Sequence, residues 1–300
     1  MKILVCGATG QIGRSLTTQA QARGLDVIGM SHQQMDLTDA RQVQRTVERL
    51  RPGLIINAAA FTQVDAAEGN ARLAYAVNRD GAALLAGAAA GLAIPLFHLS
   101  TDYVFDGQAR SPYKESDRTA PLGVYGASKL EGERAVAQRL ERHLILRTSW
   151  VYGEHGGNFV KSMLRLGARP ELRVVDDQIG CPTSAERIAS VLLELAHRHV
   201  TGGELAWGLY HYSGRSPCSW HAFACEIFRQ AKQAGLIQRI PKLVAIPTSQ
   251  YPTPARRPAW SVLDCSRFET SFGLDTVEWS ADLAQLIDAL SEQGAHRLAG

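Results

Sequence analysis

The sequence predicts an α/β protein built on a doubly wound parallel sheet of the Rossmann type, with a smaller C-terminal lobe. Three observations lead to this fold class: short apolar runs alternate with long helical stretches, a glycine-rich turn follows the first run, and polar motifs follow later ones. Short continuous apolar runs between helices are typical of parallel strands covered on both faces. Right-handed crossovers then wind the helices onto both sides of the sheet.

The first five strands are predicted at residues 3–5, 27–29, 54–57, 96–99 and 144–147. Helices are predicted between them, at residues 13–23, 40–49, 72–90 and 125–142. After residue 148 the alternation of strands and helices is less regular. Helices are predicted at 158–166, 184–198, 220–234 and 280–292, and strands at 172–175 and 209–213. We therefore expect a dinucleotide-binding domain at residues 1–150. Strand and helix elements around residues 172–213 are expected to join or flank its sheet. A substrate-binding lobe is expected mainly from residues 151–171 and 214–300.

The composition is that of an ordinary globular chain, with 45% apolar and 20% charged residues and a net charge of only +3. So small a charge gives no reason to expect nucleic acid or an anionic membrane surface as a partner. The N-terminal apolar run is too short for a signal peptide, and glycines and a proline break the longest apolar stretch, so we expect no membrane span. Five scattered cysteines favour free thiols in a reducing cytosol, and hence a cytoplasmic protein.

One cluster, Cys218, His221 and Cys225, has a spacing that could hold a metal ion. No second pair of ligands lies nearby in the sequence, and the apolar residues of the same stretch indicate a helix that faces the core. We therefore expect no metal site here.

The motif GATGQIG places Gly7, Gly10 and Gly13 directly after the first strand and at the start of the first helix. The first glycine permits the tight turn, the second lets the backbone approach a pyrophosphate, and the third lets the helix pack closely on the strand. The start of a helix also offers free N–H groups to an anion. The motif therefore predicts a dinucleotide site.

The end of the second strand bears on the choice of cofactor. The acidic residue that would hold a ribose 2′-hydroxyl is missing, since Met30, Ser31 and His32 stand there. Arg14, beside the third glycine, could face a 2′-phosphate. These residues favour NADPH, with NADH as the alternative. Asp36 could cap the next helix or bond the adenine, and Thr38 competes for the cap.

Tyr125 and Lys129 are four residues apart in a segment with a helical pattern, so they lie on one helical face. An ammonium beside a phenol favours the phenolate and lowers the phenol's pKa. The pair therefore predicts a proton donor that is usable at neutral pH.

The glycine turn and four further motifs together resemble the extended short-chain dehydrogenase/reductase family, over nearly the whole chain. The four motifs are NAAAFTQVDAAE (57–68), HLSTDYVFDG (98–107), VYGASK (124–129) and RTSWVYGEHGGNFV (147–160). A fifth motif, YPTPARRP (251–258), narrows the resemblance. STDYVFDG, RTSWVYG and YPTPARRP point to a branch that reduces a sugar nucleotide. The resemblance implies that dTDP-4-dehydro-6-deoxy-L-mannose is reduced at C4 to dTDP-L-rhamnose by NAD(P)H, the last step of dTDP-L-rhamnose synthesis.

The same resemblance implies a catalytic triad of Thr101, Tyr125 and Lys129. Tyr125 would donate a proton to the C4 keto oxygen and Thr101 would bond the same oxygen, while Lys129 would hold the nicotinamide ribose. Charge develops on one oxygen, so donors that converge there are what the reaction needs.

Further residues are implied to line the ligand sites. The cofactor would contact Gly7, Gly10, Gln11, Ile12, Gly13, Arg14, Asp36, Leu37, Ala60, Phe61, Thr62, Leu99, Tyr125 and Lys129. The substrate would contact Thr101, Asp102, Trp150 and Arg257, with Arg257 and its neighbour Arg256 placed to clamp a diphosphate.

Two neighbouring activities are disfavoured. Related 4,6-dehydratases carry an Asp-Glu pair, and epimerase-reductases carry a cysteine where Asp102 stands. Here Asp102 is present and Tyr103 follows it, so plain carbonyl reduction is favoured over both.

Two alternatives remain. The substrate could be another 4-keto sugar nucleotide. The chain could also be a non-catalytic NADP-binding subunit like the β subunit of methionine adenosyltransferase, although the complete triad favours an enzyme.

Some relatives dimerise through Mg²⁺ held by glutamates, one of which lies just after the glycine turn. Arg14 and Ser15 stand there in this chain, so Mg²⁺ and a homodimer are left open.

Overall fold

The computed structural model describes residues 1–298, with side chains through residue 292, and a six-stranded sheet forms its centre. Every adjacent pair of strands in this sheet is parallel, which confirms the predicted fold class. The strands of the described chain are β1 (Ile3–Cys6), β2 (Val27–Met30), β3 (Leu54–Asn57), β4 (Leu96–Thr101), β5 (His143–Thr148), β6 (Val151–Tyr152), β7 (Glu171–Val175), β8 (Ile179–Gly180), β9 (Thr183–Ser184), β10 (Gly208–His211), β11 (Cys218–Ser219) and β12 (Lys242–Ile246).

Helices connect these strands and cover the sheet. They are α1 (Gln11–Ala22), α2 (Ala40–Leu50), α3 (Val64–Gly69), α4 (Ala71–Tyr75), α5 (Ala82–Gly91), α6 (Val124–Arg139), α7 (Phe159–Leu166), α8 (Ala185–Val200), α9 (Trp220–Gln233), α10 (Ser266–Phe272) and α11 (Trp279–Leu298).

The strand order is β2-β1-β3-β4-β5-β10. The chain leaves β1 for β2 on one side and returns to β3 on the other. This reversal opens a crevice at the carboxyl ends of β1 and β3, the position where doubly wound sheets bind ligands.

Both faces of the sheet are buried. Successive residues of a strand point to opposite faces, so Ile3 and Val5 pack in the cluster that contains α1 and α8, whereas Leu4 and Cys6 pack in the cluster that contains α2, α5 and α6. This two-sided burial explains why the strands are continuous apolar runs.

The strand predicted at 209–213 is β10, which pairs with β5 at the edge of the sheet. The strand predicted at 172–175 is β7, which pairs instead with β12. We call α7, β7, α9, β12 and α11 the C-terminal lobe; their side chains form a separate apolar cluster. Strand β12 was missed, since Pro241 and Pro247 bracket it and favour a loop. The boundaries of the two domains stay a prediction.

The helix predicted at 72–90 is interrupted. A π-helical segment, Ala76–Gly81, separates α4 from α5. Such segments are frequent at functional sites, and this one turns the amide of Asn78 inward, where it is 1% exposed and contacts Ser128 of α6.

Candidate functional site

The turn between β1 and α1 leaves no room for side chains at two of its glycines. Gly7 has a φ of 77°, and a Cβ there would lie 2.7 Å from the backbone of Ala59 in the loop after β3. A Cβ at Gly13 would lie 2.1 Å from the carbonyl oxygen of Gly7. Gly10 precedes α1, and no side chain among those described caps the helix. Its first N–H groups are therefore left for an anion.

Three further residues predicted to contact the cofactor surround this turn. Gln11 Oε1 accepts a hydrogen bond from Asn158 Nδ2 at 3.0 Å, which ties the turn to the segment after β6. Arg14 is exposed, and its Nε donates to the carbonyl oxygen of Thr9 at 3.2 Å. Ile12 is half-buried against the core. Arg14 is thus a cation beside the turn.

The end of β2 carries no carboxylate. The backbone N–H of Ser31 donates to Gln34 Oε1 at 2.9 Å, and His32 is exposed, with its Nδ1 3.7 Å from Asp36 Oδ1. The region therefore holds no acid at the position where one would repel a 2′-phosphate.

The prediction that Asp36 or Thr38 caps the next helix is wrong. Asp39 caps α2, accepting hydrogen bonds from the N–H groups of Arg41 at 2.9 Å and Gln42 at 3.0 Å. Asp36 closes a local turn instead, accepting from the N–H and the hydroxyl of Thr38, both at 2.8 Å. The local turn engages Oδ1 of Asp36, and the helix starts after this turn.

The side chain of Leu37, predicted to lie by the adenine, is 4% exposed and packs in the core against α2 and α5. Only its backbone is left for a ligand.

Ala60, Phe61 and Thr62 form the loop after β3, and the loop is held by an amide that the sequence reasoning missed. Asn78 Oδ1 accepts from the N–H of Phe61 at 2.8 Å, and Asn78 Nδ2 donates to the Phe61 carbonyl oxygen at 3.1 Å. The loop therefore has a defined shape beside the glycine turn. Nothing in the local sequence distinguishes Asn78 from an exposed helical residue, because the π-helical segment that turns it inward is a tertiary feature.

The predicted triad gathers at the carboxyl end of β4. Thr101 ends β4, and its hydroxyl interacts with the phenol of Tyr125 in the first turn of α6. The Tyr125 ring packs edge-to-face on Tyr103, with ring centroids 5.7 Å apart. A Cβ at Gly126 would lie 2.1 Å from the Tyr103 carbonyl oxygen, so the glycine allows α6 to approach this turn.

Lys129 lies one turn further along α6 and is 2% exposed. Its Nζ donates to the carbonyl oxygen of Leu99 at 2.6 Å, which leaves two of its three N–H donors for other partners. The backbone carbonyl of Leu99, a predicted cofactor contact, is therefore hydrogen-bonded to Lys129 of the predicted triad.

The prediction that Lys129 lowers the pKa of Tyr125 is wrong for this structure. Burial raises the pKa of the Tyr125 phenol to about 12; the hydrogen bond with Thr101 lowers it and the charge of Asp102 raises it. Burial also lowers the pKa of the Lys129 ammonium to about 8, against the opposing effect of Glu133. Desolvation disfavours the charged form of both groups. It decides the direction of both pKa shifts, although the two residues lie on one helical face.

Asp102 is closed off from solvent. Its side chain is 1% exposed, its Oδ1 lies 3.0 Å from Thr101 Oγ1, and burial raises its pKa to about 7. Its Oδ2 is buried and has no hydrogen-bond partner of good geometry among the described residues. The carboxyl group predicted to contact the sugar is therefore inaccessible here.

A buried ionic network lies beneath the triad. Arg147 of β5 donates to both oxygens of Glu133, at 2.8 and 2.6 Å, and Ser100 donates to Glu133 at 2.5 Å. His211 of β10 lies 3.3 Å from Arg147 Nη1. Both charged partners are almost fully buried, so the network fixes α6 against β4 and β5.

A cavity of about 760 Å³ opens between Tyr103 and the C-terminal lobe. Most of its wall is apolar, and Trp220 and Phe159 contribute aromatic rings. Arg169, Arg173 and Arg257 supply positive charge. An apolar wall with a few cations suits a nucleotide base joined to phosphates.

Trp150, predicted to form a pocket wall, lies behind the tryptophan that lines this cavity. Its ring stacks on Trp220 with centroids 3.5 Å apart and an interplanar angle of 4°. A Cβ at Gly180 would lie 2.5 Å from the Trp150 ring, so the indole is held between the two residues. Trp220 was missed, since its segment was interpreted as a helix that faces the core.

Arg257 lines the cavity, but its guanidinium is already paired. Its two terminal nitrogens donate to Asp65 at 3.0 and 2.8 Å. Asp65 also accepts from the N–H of Ala255 at 3.2 Å, and Arg257 holds the pKa of Asp65 below its usual range. Arg256 is exposed. A phosphate would therefore have to compete with Asp65 for Arg257.

Among the residues whose side chains are described, no group of three or more His, Cys, Asp or Glu could hold a metal ion. Cys225 Sγ lies 3.9 Å from His221 Nε2, and Cys218 is in strand β11. No helix in the described part of the chain is both long and apolar enough to cross a bilayer.

Comparisons with known proteins show the family to which this chain belongs. A family model described as the RmlD substrate binding domain matches residues 1–292. The dTDP-4-dehydrorhamnose reductase of Sinorhizobium fredii is 44% identical over 296 residues, which cover 98% of this chain and 99% of that one. The crystal structure of a dTDP-4-dehydrorhamnose reductase from Clostridium acetobutylicum superposes with a TM-score of 0.89 at 39% identity, covering 97% and 99% of the two chains. That of Bacillus anthracis, in complex with NADP, gives a TM-score of 0.88 at 35% identity, covering 95% and 98%.

Proposed function

Because the chain belongs to the family of the RmlD substrate binding domain, whose relatives above are dTDP-4-dehydrorhamnose reductases, we propose that it reduces the C4 ketone of dTDP-4-dehydro-6-deoxy-L-mannose to give dTDP-L-rhamnose. It is an NAD(P)H-dependent oxidoreductase. The observation that carries the proposal is the family match over residues 1–292, in a chain that places Thr101 and Tyr125 together at the carboxyl ends of the strands.

The crevice between β1 and β3 is the proposed site of the dinucleotide. Its pyrophosphate would lie on the uncapped start of α1, and the loop of Ala60, Phe61 and Thr62 would form the opposite wall. The absence of an acid at Ser31 and the cation of Arg14 support NADPH over NADH. The Bacillus anthracis relative was solved with NADP, which agrees with this choice.

Bound there, the cofactor supplies the hydride that reduces the ketone carbon. Tyr125 donates the proton to the ketone oxygen, and its raised pKa keeps that proton in place until charge develops on the oxygen. The hydroxyl of Thr101 donates a second hydrogen bond to the same oxygen. The two free donors of Lys129 orient the ribose hydroxyls.

The cavity beside Tyr103 is the proposed site of the nucleotide part of the substrate. Trp220 and Phe159 offer aromatic surface to a base, and the arginines at the cavity offer charge to the diphosphate. The apolar wall excludes water from one side of the site.

Replacing Tyr125 with Phe tests the proposed chemistry. We expect kcat to fall by about 10²–10⁴-fold, because the ring stays in place and only the acid is lost. The affinity for NADPH should change little. The measurement is loss of absorbance at the dihydronicotinamide band with dTDP-4-dehydro-6-deoxy-L-mannose as substrate, and unchanged turnover would remove Tyr125 from the mechanism.

A panel of 4-keto sugar nucleotides with NADPH and with NADH separates the alternatives. The proposed reaction predicts the highest kcat/KM with the dTDP-linked substrate. A better rate with another nucleotide sugar would move the assignment to that sugar. Binding of NADPH without reduction of any substrate would favour a non-catalytic NADP-binding subunit.

A further inference from the structure

Helix α6 places three ionisable side chains one turn apart along one face: Tyr125, Lys129 and Glu133. Glu133 is not a member of the predicted triad, yet it is only 4% exposed. A carboxylate is costly to bury unless it is paired and hydrogen-bonded. The contacts that Glu133 makes with the sheet must therefore balance this cost.

Glu133 is bonded to the same strand that Lys129 contacts. Ser100 Oγ of β4 donates to Glu133 Oε1 at 2.5 Å. The carbonyl oxygen of the preceding residue, Leu99, accepts from Lys129 Nζ at 2.6 Å, and the residue after Ser100 is Thr101 of the predicted triad. The contact with Glu133 thus lies directly between the two β4 positions at which the triad is assembled.

The Glu133 carboxylate is shared by two buried cations. Arg147 of β5 donates to both of its oxygens, at 2.8 and 2.6 Å, and is almost fully buried. Lys129 is equally inaccessible, and the charge of Glu133 opposes the effect of burial on its ammonium. His211, which lies beside Arg147, adds no charge, because burial and the charge of Arg147 lower its pKa to about 3. One carboxylate therefore stabilises both cations.

The number of donors that Lys129 can offer depends on its charge. An ammonium has three N–H donors, so two remain for a ligand after the bond to Leu99. A neutral amine has two N–H donors, so only one remains. Desolvation favours the neutral amine, whereas a carboxylate one turn away favours the ammonium. Loss of the charge would therefore cost the cofactor a hydrogen bond.

We propose that Glu133 is a positioning residue for the cofactor: its buried carboxylate keeps the Lys129 side chain charged, with both remaining N–H donors on the nicotinamide ribose. The proposal rests on the function proposed above, since it uses the ribose contact assigned to Lys129 there. Glu133 acts only through Lys129, because its own oxygens are engaged by Ser100 and Arg147.

The affinity for NADPH should then depend on pH in one direction. The pKa of Lys129 is about 8, so the charged form prevails below that pH, and the affinity should fall as the pH rises through it. Two other titratable groups beside Lys129 are neutral in this range. Burial holds the pKa of His98 on β4 well below its usual value and raises that of Tyr125 to about 12. Arg147 on β5 is bound to Glu133.

The decisive variant is Glu133→Gln, which removes the charge and keeps the shape of the side chain. Fluorescence titration with NADPH at a series of pH values measures the affinity. In the wild type it should fall roughly 10–100-fold around pH 8, the value of one hydrogen bond to a charged group. In Glu133→Gln the midpoint of this fall should move about one pH unit or more lower.

Glu133→Asp is the matched control, because it keeps the charge but shortens the side chain and disturbs the contacts with Ser100 and Arg147. Its midpoint should stay near that of the wild type. A purely structural Glu133 would instead weaken binding by the same factor at every pH, in both variants, and leave the midpoint in place. That result, or a wild-type affinity that does not fall near pH 8, overturns the proposal.

A second variant covers the instability that an unpaired buried Arg147 would cause. Should Glu133→Gln fail to fold, the double variant Glu133→Gln with Arg147→Met removes both charges, a replacement that buried ion pairs often tolerate. Its midpoint should still lie below that of the wild type, because the charge that acts on Lys129 is that of Glu133. A midpoint equal to the wild type's contradicts the proposal.

A readout that needs neither turnover nor ligand keeps this proposal apart from the proposed function. In protein labelled with [ε-¹³C]lysine, the Lys129 signal is the one absent from Lys129→Met, and its shift with pH reports the titration of the ammonium. An equal midpoint in wild type and Glu133→Gln overturns the proposal even if the reductase reaction is found. A lowered midpoint in a protein that reduces no keto sugar supports the effect of Glu133 on Lys129 and rejects the proposed function alone.

Discussion

Tyr125 and Lys129 are neighbours on one helical face, yet burial moves each of them toward its neutral form. The pKa of the phenol rises to about 12 and that of the ammonium falls to about 8. A phenol that keeps its proton is suited to act as an acid, because it gives the proton up only when charge develops on the ketone oxygen. At the scale of the residue, desolvation therefore keeps the proposed acid protonated, and the hydrogen bond with Thr101 opposes the rise in its pKa.

The residue after β2 is expected to set the choice of cofactor. Replacing Ser31 with Asp places a carboxylate where a 2′-phosphate would lie, so kcat/KM with NADPH should fall about tenfold or more relative to NADH. Steady-state rates with both cofactors measure the ratio. Ser31→Asn is the control of similar size without charge. An equal ratio in the two variants would mean that the adenosine ribose lies elsewhere.

At the scale of the element, helix α6 carries Tyr125 and Lys129 but has no cap of its own. Gly123 precedes it without a side chain, and Glu68 of α3 supplies the missing acceptor, taking a hydrogen bond from the Val124 N–H at 2.8 Å. A carboxylate at a helix N-terminus also interacts favourably with the helix dipole. The start of the helix that carries Tyr125, the proposed acid, is thus capped by a residue of a different helix.

Removing this cap should loosen the start of α6. For Glu68→Ala we expect a loss of about 1 kcal/mol in the free energy of unfolding and a lower kcat with little change in the affinity for NADPH. Urea denaturation and steady-state kinetics measure the two effects. Glu68→Gln keeps an acceptor and should recover most of both, while Glu131→Ala, a change at a half-buried position further along α6, should alter kcat little. Normal kcat in Glu68→Ala would show that α6 is held without the cap.

At the scale of the whole molecule, the ion pair of Asp65 and Arg257 joins the first turn of α3, which follows the loop after β3, to the proline-rich segment before α10. Asp65 follows the predicted cofactor loop, and Arg257 lines the proposed substrate cavity. This ion pair therefore links the two proposed ligand sites. If Arg257 binds the diphosphate, the diphosphate must displace Asp65 from the guanidinium.

Variants of this pair should affect substrate binding in opposite directions. Arg257→Ala should raise KM for the nucleotide sugar about ten- to a hundredfold, the value of a charge-assisted hydrogen bond to phosphate. Asp65→Asn should lower KM or leave it unchanged, since it frees the guanidinium. Isothermal titration with dTDP checks binding without catalysis. An unaltered dTDP affinity in Arg257→Ala would limit the pair to a structural role.

Local chemistry determines much of this protein from the sequence alone. The glycine turn, the buried strands and the Tyr125–Lys129 spacing each depend on residues close in sequence, so the fold class could be predicted and candidate site residues could be named. The motifs were also sufficient to indicate the family.

Only the tertiary structure decided what depends on distant residues. Burial set the direction of the pKa shifts at Tyr125, Lys129 and Asp102, and desolvation has no signature in a local motif. The π-helical turn that places Asn78, the stacking of Trp150 on Trp220 and the pairing of Arg257 with Asp65 each join parts of the chain that are far apart in sequence. The physical reason is the same in each case: a partner brought by folding changes what a side chain can do.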